Sequence, residues 1–258
     1  GFIGSNLLSY FSEIDIIEVQ RSENHIDLVH DKKNILIWAG EPSNIRKVND
    51  GAFEEQEILT DRLSKLVNLP FDQIIYLSSI YTYKRTDFKE IYNENDLVDT
   101  KNFYSKGKVQ REKLVLKKRQ GCVLRLSNIY GLGMHDNIFE DIRNEFKKKK
   151  DTMNIRNLKS KLDLIYIDDL LECINKSMEM GITGLYNLCS NKETTPLVIL
   201  DTIFSLLGTS RNIVETHPDI IGYLIGDNTK IRSELDWVPS HTLEEGLTKL
   251  INKGYFYG

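Results

Sequence analysis

The stretch Gln73-Ile-Ile-Tyr-Leu-Ser-Ser79 decides the fold class, because it has the pattern of a buried strand in a parallel sheet. It is a short apolar run that ends abruptly at two hydroxyl side chains. Ligands in open α/β sheets bind beyond the carboxyl ends of the strands, and Ser78 and Ser79 would lie at such an end. The stretch therefore predicts an α/β fold and the edge of its sheet where the chemistry takes place.

Downstream of this strand, Tyr104 and Lys108 are four residues apart in a segment with helical spacing. On a helix the two side chains share one face, so the ammonium can lie close to the phenol. A nearby cation favours the phenolate and brings the pKa of a tyrosine, ordinarily about 10, toward the working range of a proton-transfer group. Alone the spacing is weak, since about one such pair is expected by chance in a chain with 12 tyrosines.

The next apolar run, Cys122-Val-Leu-Arg-Leu-Ser-Asn-Ile-Tyr-Gly131, predicts a further strand that ends in a turn with glycine. Strand, loop, helix with Tyr104 and Lys108, and strand together form one βαβ unit. Its polar residues then converge at a single edge of the sheet, which strengthens the interpretation of Tyr104 and Lys108 as functional residues.

These motifs together resemble the extended short-chain dehydrogenase/reductase family, and more narrowly its nucleotide-sugar epimerase/dehydratase branch. Ser79, Tyr104 and Lys108 match its catalytic residues, and Gly1-Phe-Ile-Gly-Ser-Asn-Leu7 matches the second half of its glycine-rich loop. Leu162-Asp-Leu-Ile-Tyr-Ile-Asp-Asp169 and the Gly-x-Tyr-Asn stretch at 184–187 follow in the family's order. The resemblance implies a Rossmann-type doubly wound parallel sheet with a smaller C-terminal substrate-binding lobe.

Length and composition are those of an ordinary globular protein. The 258 residues are 40% hydrophobic and 28% charged, with a net charge of −4, which gives no reason to expect nucleic acid or a membrane as a partner. The three cysteines have no metal-like spacing, so we expect no metal site and interpret them as core residues in a reducing cytoplasm.

The resemblance divides the chain into a dinucleotide-binding domain at 1–127 and a mainly substrate-binding lobe at 128–258. Strands near 162–167 and 184–189 are expected to return to the first domain.

The first residues, Gly1, Phe2, Ile3 and Gly4, are expected to bind the cofactor. Glycines let the backbone approach a pyrophosphate, and the start of a helix supplies N–H groups and partial positive charge. Because this fingerprint follows a strand, we expect a strand and the first glycine of the loop to precede Gly1. The resemblance adds Asp27 and Leu28 at the adenine, and the small Ala39 and Gly40 at a strand end that the cofactor passes.

The choice of cofactor depends on Arg21, which follows a predicted strand at 14–19. An arginine there accommodates the additional phosphate of NADP, whereas an acidic residue binds the ribose hydroxyls of NAD. Arg21 favours NADP. NAD remains the alternative, because a shift of two residues would place Glu18 at the ribose.

The polar segment 80–102 is expected to be a loop of the active site. Dehydratases of this branch carry an Asp-Glu pair directly after the catalytic hydroxyl, but this chain has Ile80 and Tyr81, which argues against dehydration. Ser79, Tyr81 and Asn128 are the expected substrate contacts. Where the family often has an arginine for the substrate phosphates the chain has Leu162, with Lys161 and Arg156 as possible substitutes.

The resemblance thus implies an NAD(P)-dependent oxidoreductase that acts on a sugar carbon, which we expect to be C4 of a nucleotide-linked hexose. In this mechanism Tyr104 moves the hydroxyl proton, Ser79 hydrogen-bonds the same oxygen, and Lys108 lowers the tyrosine pKa and holds the nicotinamide ribose. A keto-sugar reductase is favoured, and a 4-epimerase with bound NAD is the alternative. A non-catalytic NAD(P)-binding regulator is a further alternative. The family also implies a homodimer in which the helix predicted at 53–67 takes part.

Overall fold

A parallel sheet with helices on both faces is the main layer of the protein. The computed structural model describes residues 1–11, 28, 31–42, 44–51, 53–86, 89–135, 137–218 and 224–257. Within these residues the strands are, in chain order, β1 (Ile35–Trp38), β2 (Gln73–Ser79), β3 (Ile91–Tyr92), β4 (Gly121–Leu126), β5 (Asn128–Tyr130), β6 (Thr152–Arg156), β7 (Leu162–Tyr166), β8 (Gly184–Leu188), β9 (Glu193–Thr194), β10 (Asn212–Thr216) and β11 (Ile225–Gly226).

The α-helices of the same residues lie between these strands and after them. They are, in chain order, α1 (Phe2–Tyr10), α2 (Ile45–Asn49), α3 (Phe53–Leu66), α4 (Phe103–Leu116), α5 (Ile138–Lys147), α6 (Ile167–Met180), α7 (Pro196–Leu207), α8 (Thr229–Leu235) and α9 (Leu243–Asn252). A 3₁₀ turn at Ile80–Thr82 follows β2 directly. No helix among the described residues is both long enough and apolar enough to span a membrane.

The main sheet has the order β1-β2-β4-β8 within the described part of the chain, and every neighbouring pair is parallel. Ile75 is paired with Cys122, and Leu124 with Tyr186. Because the strands run in one direction, their carboxyl ends meet at one edge. This arrangement confirms the predicted doubly wound fold.

The strand at Leu162–Tyr166 differs from the expectation that it returns to the main sheet. It pairs in parallel with β5 and in antiparallel with β9, in a separate three-stranded sheet. The strand at Gly184–Leu188 does return, since it pairs with β4. Both strands are apolar enough to be buried, and the sequence pattern does not tell which partner strand each one selects.

The side chains of the main sheet alternate between two apolar clusters. Ile75 and Leu77 face a large core that includes residues of α1 and α6, whereas Ile74 and Tyr76 face a second core with residues of α3 and α4. Strand β2 is buried along its whole length. This two-sided burial is the physical reason why its sequence is a continuous apolar run without alternation.

Local sequence signals are present at the ends of α7 and at the start of α9. Helix α7 begins after Thr195, whose side chain accepts a hydrogen bond from the Val198 N–H, and ends at Gly208 with a φ of 59°. Helix α9 begins with a reciprocal capping box of Thr242 and Glu245. These local signals require no tertiary contact, which explains why they can be recognised in the sequence.

Candidate active site

A cleft of about 740 Å³ lies along the carboxyl ends of β1, β2 and β4. Its walls are formed by residues from these strand ends, from the start of α1, from α4 and from the segment 156–164. The cleft brings together most of the predicted site residues, namely Gly1, Phe2, Ile3, Ala39, Ser79, Tyr81, Tyr104, Lys108 and Asn128.

Some of the residues predicted to bind the cofactor do not line this cleft. Gly4 and Gly40 are next to lining residues but are not part of the wall. Leu28 packs against the apolar cluster shared by β2, α3 and α4. Arg21 and Asp27 lie outside the described residues.

Ser79 is positioned by the 3₁₀ turn that follows β2. Its side-chain oxygen accepts a hydrogen bond of 3.2 Å from the Tyr81 N–H, and its carbonyl oxygen accepts one of 2.8 Å from the Thr82 hydroxyl. The turn therefore fixes the hydroxyl at the strand end, and Ser79 and Tyr81 both remain in the wall of the cleft.

Tyr104 and Lys108 lie on the buried face of α4. The helix is capped by the Asn102 side chain, which accepts from the Ser105 N–H, and the Tyr104 N–H donates to the Asn49 side chain at 3.0 Å. The Lys108 Nζ lies 5.3 Å from the centroid of the Tyr104 ring. Each residue is 5% exposed, so both groups are held at the inner wall and are largely shielded from water.

The ammonium of Lys108 has a partner that the sequence analysis missed. Its Nζ donates a hydrogen bond of 2.7 Å to Oε2 of Glu41, a residue directly after the predicted Ala39-Gly40 strand end. Burial alone would raise the pKa of the Glu41 carboxyl, but the charges of Lys108 and Arg111 lower it to about 2. Burial likewise lowers the pKa of Lys108, and the Glu41 carboxylate outweighs this effect and raises it.

Arg111 is the second residue that the sequence analysis missed. It lies three residues after Lys108 on α4, is fully buried, and donates from Nε to Oε1 of Glu41 at 2.5 Å. A pattern was available for both residues. Arg111 shares a helix face with Lys108, and Glu41 is a charged residue at the carboxyl end of an apolar strand.

A second buried ion pair supports the other side of the same strand end. Glu112 accepts from Ser78 Oγ at 2.6 Å, and Arg125 donates to the Glu112 carboxylate through Nε at 2.9 Å and through a terminal nitrogen at 2.6 Å. Because these groups connect β2, α4 and β4, they fix the spacing between the strand end and the helix that carries Tyr104.

The remaining predicted substrate contacts, Tyr81 and Asn128, are hydrogen-bonded to each other. The Tyr81 hydroxyl donates to Oδ1 of Asn128 at 3.0 Å, and Nδ2 of Asn128 donates to the carbonyl oxygen of Asp163 at 3.1 Å. Burial raises the pKa of Tyr81, so it is a neutral hydrogen-bonding group at ordinary pH. The pair presents fixed polar atoms to the cleft.

The far end of the cleft carries exposed positive charges. Arg156 pairs with Asp141 at 2.8 Å, and Lys161 pairs with Glu90 at 3.0 Å and Glu193 at 2.9 Å. Arg156 and Lys161 both line the cleft, in the region where the family pattern places its phosphate-binding arginine.

The residues near the start of α1 fit a dinucleotide cofactor. The first N–H groups of α1 have no acceptor within the helix, and a Cβ added to Gly4 would meet none of the described atoms within 4 Å. Open space beside a helix N-terminus is what the close approach of a pyrophosphate requires. In the described part of the chain, no group of three or more His, Cys, Asp or Glu side chains is placed to hold a metal ion.

The pattern of the NAD dependent epimerase/dehydratase family matches residues 1–189. The chain therefore belongs to this family, as its motifs and fold lead one to expect. The family defines a class of NAD-dependent enzymes that act on nucleotide sugars as epimerases, dehydratases or reductases.

The individual relatives have low sequence identity to this chain. The dTDP-4-dehydro-6-deoxyglucose reductase of Escherichia coli is 28% identical over 194 residues, which are 70% of this chain and 60% of the relative. The solved structure of RMD from Pseudomonas aeruginosa complexed with NADPH is 18% identical with a TM-score of 0.82, and the match covers 100% of this chain and 97% of that one. The structure of MoeE5 in complex with UDP-glucose and NAD is 18% identical with a TM-score of 0.83, over 99% and 96% of the two chains. At these identities the structural likeness shows the fold.

Proposed function

We propose that this protein is an NADP-dependent reductase of a keto sugar, acting at C4 of a nucleotide-linked hexose. The observation that carries the proposal is the placement of Ser79, Tyr104 and Lys108 in one cleft with the start of α1. The name of the E. coli relative, a reductase of a 4-keto nucleotide sugar, supports this reaction.

In the proposed reaction, a nicotinamide cofactor held beside the start of α1 and by Lys108 would supply the hydride for the carbonyl carbon. The Tyr104 hydroxyl gives its proton to the carbonyl oxygen, and Ser79 donates a hydrogen bond to the same oxygen. Lys108 provides positive charge beside the tyrosine and N–H groups for the nicotinamide ribose. The carbonyl gains one hydride and one proton, so the products are the alcohol and the oxidised cofactor.

Residues after Ser79 favour reduction over dehydration. Ile80 is fully buried in an apolar cluster with Tyr83 and Tyr92, and Tyr81 is hydrogen-bonded to Asn128. Neither side chain can act as the carboxyl acid or base that removal of water requires. This position therefore supports a reductase or an epimerase.

The test is a panel of 4-keto sugars linked to UDP, dTDP, GDP or CDP, each offered with NADPH or NADH. We expect one NADPH to be oxidised for each keto sugar that is reduced. The loss of absorbance at the reduced nicotinamide band measures this oxidation. Conversion of the corresponding 4-hydroxy nucleotide sugars to their C4 epimers, without net change of cofactor, would identify an epimerase instead. Cofactor binding with no conversion of any sugar would indicate a non-catalytic regulator.

The choice of NADP rests on Arg21 and agrees with the NADPH bound by the P. aeruginosa neighbour. A bidentate, charge-assisted contact of a guanidinium with the 2′-phosphate contributes about 1.5–3 kcal/mol, or roughly 10- to 150-fold in affinity. NADPH should therefore bind more tightly than NADH, and the difference should shrink in Arg21→Ala and at high salt. Equal or tighter binding of NADH by the wild type would show that Glu18 faces the ribose.

A homodimer through α3 and α4 is part of the same proposal. The two helices pack against each other and leave Ile58 of α3 66% exposed, with Phe103 and Leu116 of α4 exposed as well. Large exposed apolar side chains on neighbouring helices are typical of a surface that another subunit covers. Light scattering should give the mass of a dimer for the wild type and of a monomer for Ile58→Glu. A monomeric wild type would contradict the proposal.

A further inference from the structure

Glu41 is a buried carboxylate in the wall of the cleft that the proposed reaction does not use. It follows β1 by three residues, lines the cleft beside Ala39, and its side chain is only 4% exposed. Charged side chains are buried at a high cost in desolvation unless they are paired and hydrogen-bonded. Because Glu41 is buried and paired with Lys108, we interpret it as a functional residue and not as a surface charge.

The hydrogen bonds of Glu41 fix its carboxylate completely. Five donor contacts reach it, which fills the roughly four lone-pair positions of a carboxylate. Oε1 accepts from Trp38 Nε1 at 3.1 Å, from the Tyr76 hydroxyl at 2.8 Å and from Arg111 Nε at 2.5 Å, and Oε2 accepts from Lys108 Nζ at 2.7 Å and a terminal nitrogen of Arg111 at 3.2 Å. A carboxylate held in this way has no capacity left to act as a base or to bind substrate.

Lys108 makes one side-chain hydrogen bond to another described residue, namely Glu41. In the described part of the chain, the titratable or charged groups that face it are Glu41 after β1, Tyr76 of β2, and Tyr104 and Arg111 of its own helix. An ammonium has three N–H groups, and Glu41 accepts one of them. The two others are available to a ligand in the cleft, which Lys108 lines.

We propose that Glu41 is a positioning residue for the reaction: anchored by Arg111, it holds the Lys108 ammonium in place beside Tyr104. The role of Lys108 in turnover rests on the proposed function, whereas its attachment to Glu41 does not. Glu41 acts through Lys108 and touches neither the reacting atoms nor the proton that Tyr104 transfers.

A purely structural role for Glu41 makes a different prediction. Arg111 is fully buried, so Glu41 could serve only to balance its charge. In that case, a variant that lacks the charges of both Glu41 and Arg111 would have the kcat of the wild type. If Glu41 positions Lys108, removing both charges restores only the stability that was lost by leaving Arg111 unpaired, and Lys108 remains without its partner.

The deciding experiment compares Glu41→Gln, Arg111→Met and the double variant E41Q/R111M. In Glu41→Gln we expect kcat for the keto sugar at saturating NADPH to fall about 100-fold, since a misplacement of about 1 Å can cost this much. Arg111→Met leaves the Glu41 carboxylate bonded to Lys108, so its kcat should fall less than that of Glu41→Gln. The double variant should regain part of the melting temperature lost in Glu41→Gln, because only Lys108 then lacks its counter-charge, but should not regain kcat. Wild-type kcat in the double variant would overturn the proposal.

Asp169→Asn is the matched control for a buried carboxylate elsewhere. Asp169 is 1% exposed, accepts hydrogen bonds from the N–H and hydroxyl of Ser240, and does not line the cleft. Its replacement should lower the melting temperature and leave kcat unchanged. A loss of kcat equal to that of Glu41→Gln would show that the Glu41 effect is only one of stability, and would also overturn the proposal.

A second measurement needs no sugar substrate. The rate of reductive methylation of Lys108 is read by mass spectrometry against Lys106, an exposed amine on the same helix. Loss of Glu41 removes the group that raises the pKa of Lys108, and each unit of decrease raises the fraction of reactive amine about tenfold. We therefore expect faster methylation of Lys108, relative to Lys106, in both Glu41→Gln and E41Q/R111M.

The two measurements separate two failures. An unchanged ratio of Lys108 to Lys106 methylation would overturn the proposal, whatever reaction the protein catalyses. If the wild type reduces no keto sugar but Lys108 is methylated faster in Glu41→Gln than in the wild type, the proposed function is wrong. The link between Glu41 and Lys108 is then still supported.

Discussion

The two ends of the cleft contain charged groups in different environments. At the inner end, formed by Glu41, Tyr104 and Lys108, the charges are buried, and the Glu41 carboxylate accepts hydrogen bonds from Lys108 and Arg111. At the outer end, formed by Arg156 and Lys161, the ion-pairing side chains are 23% to 56% exposed. The inner end is therefore rigid, whereas the outer end can exchange its partners.

This difference has an energetic basis. Breaking a buried ion pair leaves an uncompensated charge and costs about 3–5 kcal/mol, whereas an exposed pair contributes about 0–1 kcal/mol. Exposed cations can leave their carboxylates for the phosphates of a substrate at little cost. In the proposed reaction, proton transfer needs the fixed geometry of the inner end, and binding of the substrate phosphates needs the exchangeable charges of the outer end.

The largest effect is expected for Tyr104→Phe at the inner end. Removal of the proposed proton donor should lower kcat about 10²- to 10⁴-fold, the usual contribution of general acid–base catalysis. Steady-state kinetics with NADPH and the keto sugar measure this. Tyr186→Phe, whose hydroxyl donates to the Thr183 carbonyl oxygen away from the cleft, is the control and should keep the wild-type rate. Near wild-type turnover of Tyr104→Phe would remove Tyr104 from the mechanism.

The free energy of unfolding should distinguish the two ends next. Glu41→Gln leaves Lys108 and Arg111 buried without a counter-charge and should destabilise the protein by about 3–5 kcal/mol. Glu193→Gln at the outer end removes only an exposed partner of Lys161 and should cost less than about 1 kcal/mol. Denaturant titration of both variants measures the two values. Similar losses would show that burial does not distinguish the two ends.

The contribution of Glu41 to the free energy of unfolding should depend on pH. The pKa of Glu41 is lowered from 4.5 to about 2, so its ionised form stabilises the folded state. This contribution is complete above the unfolded-state pKa of 4.5 and is lost as the pH falls toward 2. At about 1.4 kcal/mol per pKa unit it amounts to roughly 3 kcal/mol. The stability difference between wild type and Glu41→Gln should shrink over this interval, and a constant difference would contradict the assignment.

The smallest effects are expected at the outer end itself. Arg156→Ala and Lys161→Ala should each raise KM for the nucleotide sugar by up to about tenfold and leave kcat unchanged, because an exposed charge contributes about 1 kcal/mol to binding. Added salt should reduce the difference from the wild type. A fall in kcat without a change in KM would show that the outer end takes part in the chemistry.

The sequence predicted the part of the site that depends on local pattern. The β2 run with Ser78 and Ser79 at its end, and the four-residue spacing of Tyr104 and Lys108, each specify a position on one element. The parallel sheet then brings these positions to one edge without further information. The same reasoning did not find the partner strand of Leu162–Tyr166, since a buried strand pattern is compatible with several neighbours.

What the sequence by itself determined is therefore the family, the doubly wound sheet and the residues that meet at its carboxyl edge, because these follow from apolar runs, glycines and helical spacing. What only the tertiary structure decided is the electrostatic setting of that edge. Glu41 and Lys108 are 67 positions apart in the chain, and no periodicity relates a residue in a loop to one on a helix. Their contact exists because β1 and α4 pack against the same strand, and charge pairs of this kind arise only from packing.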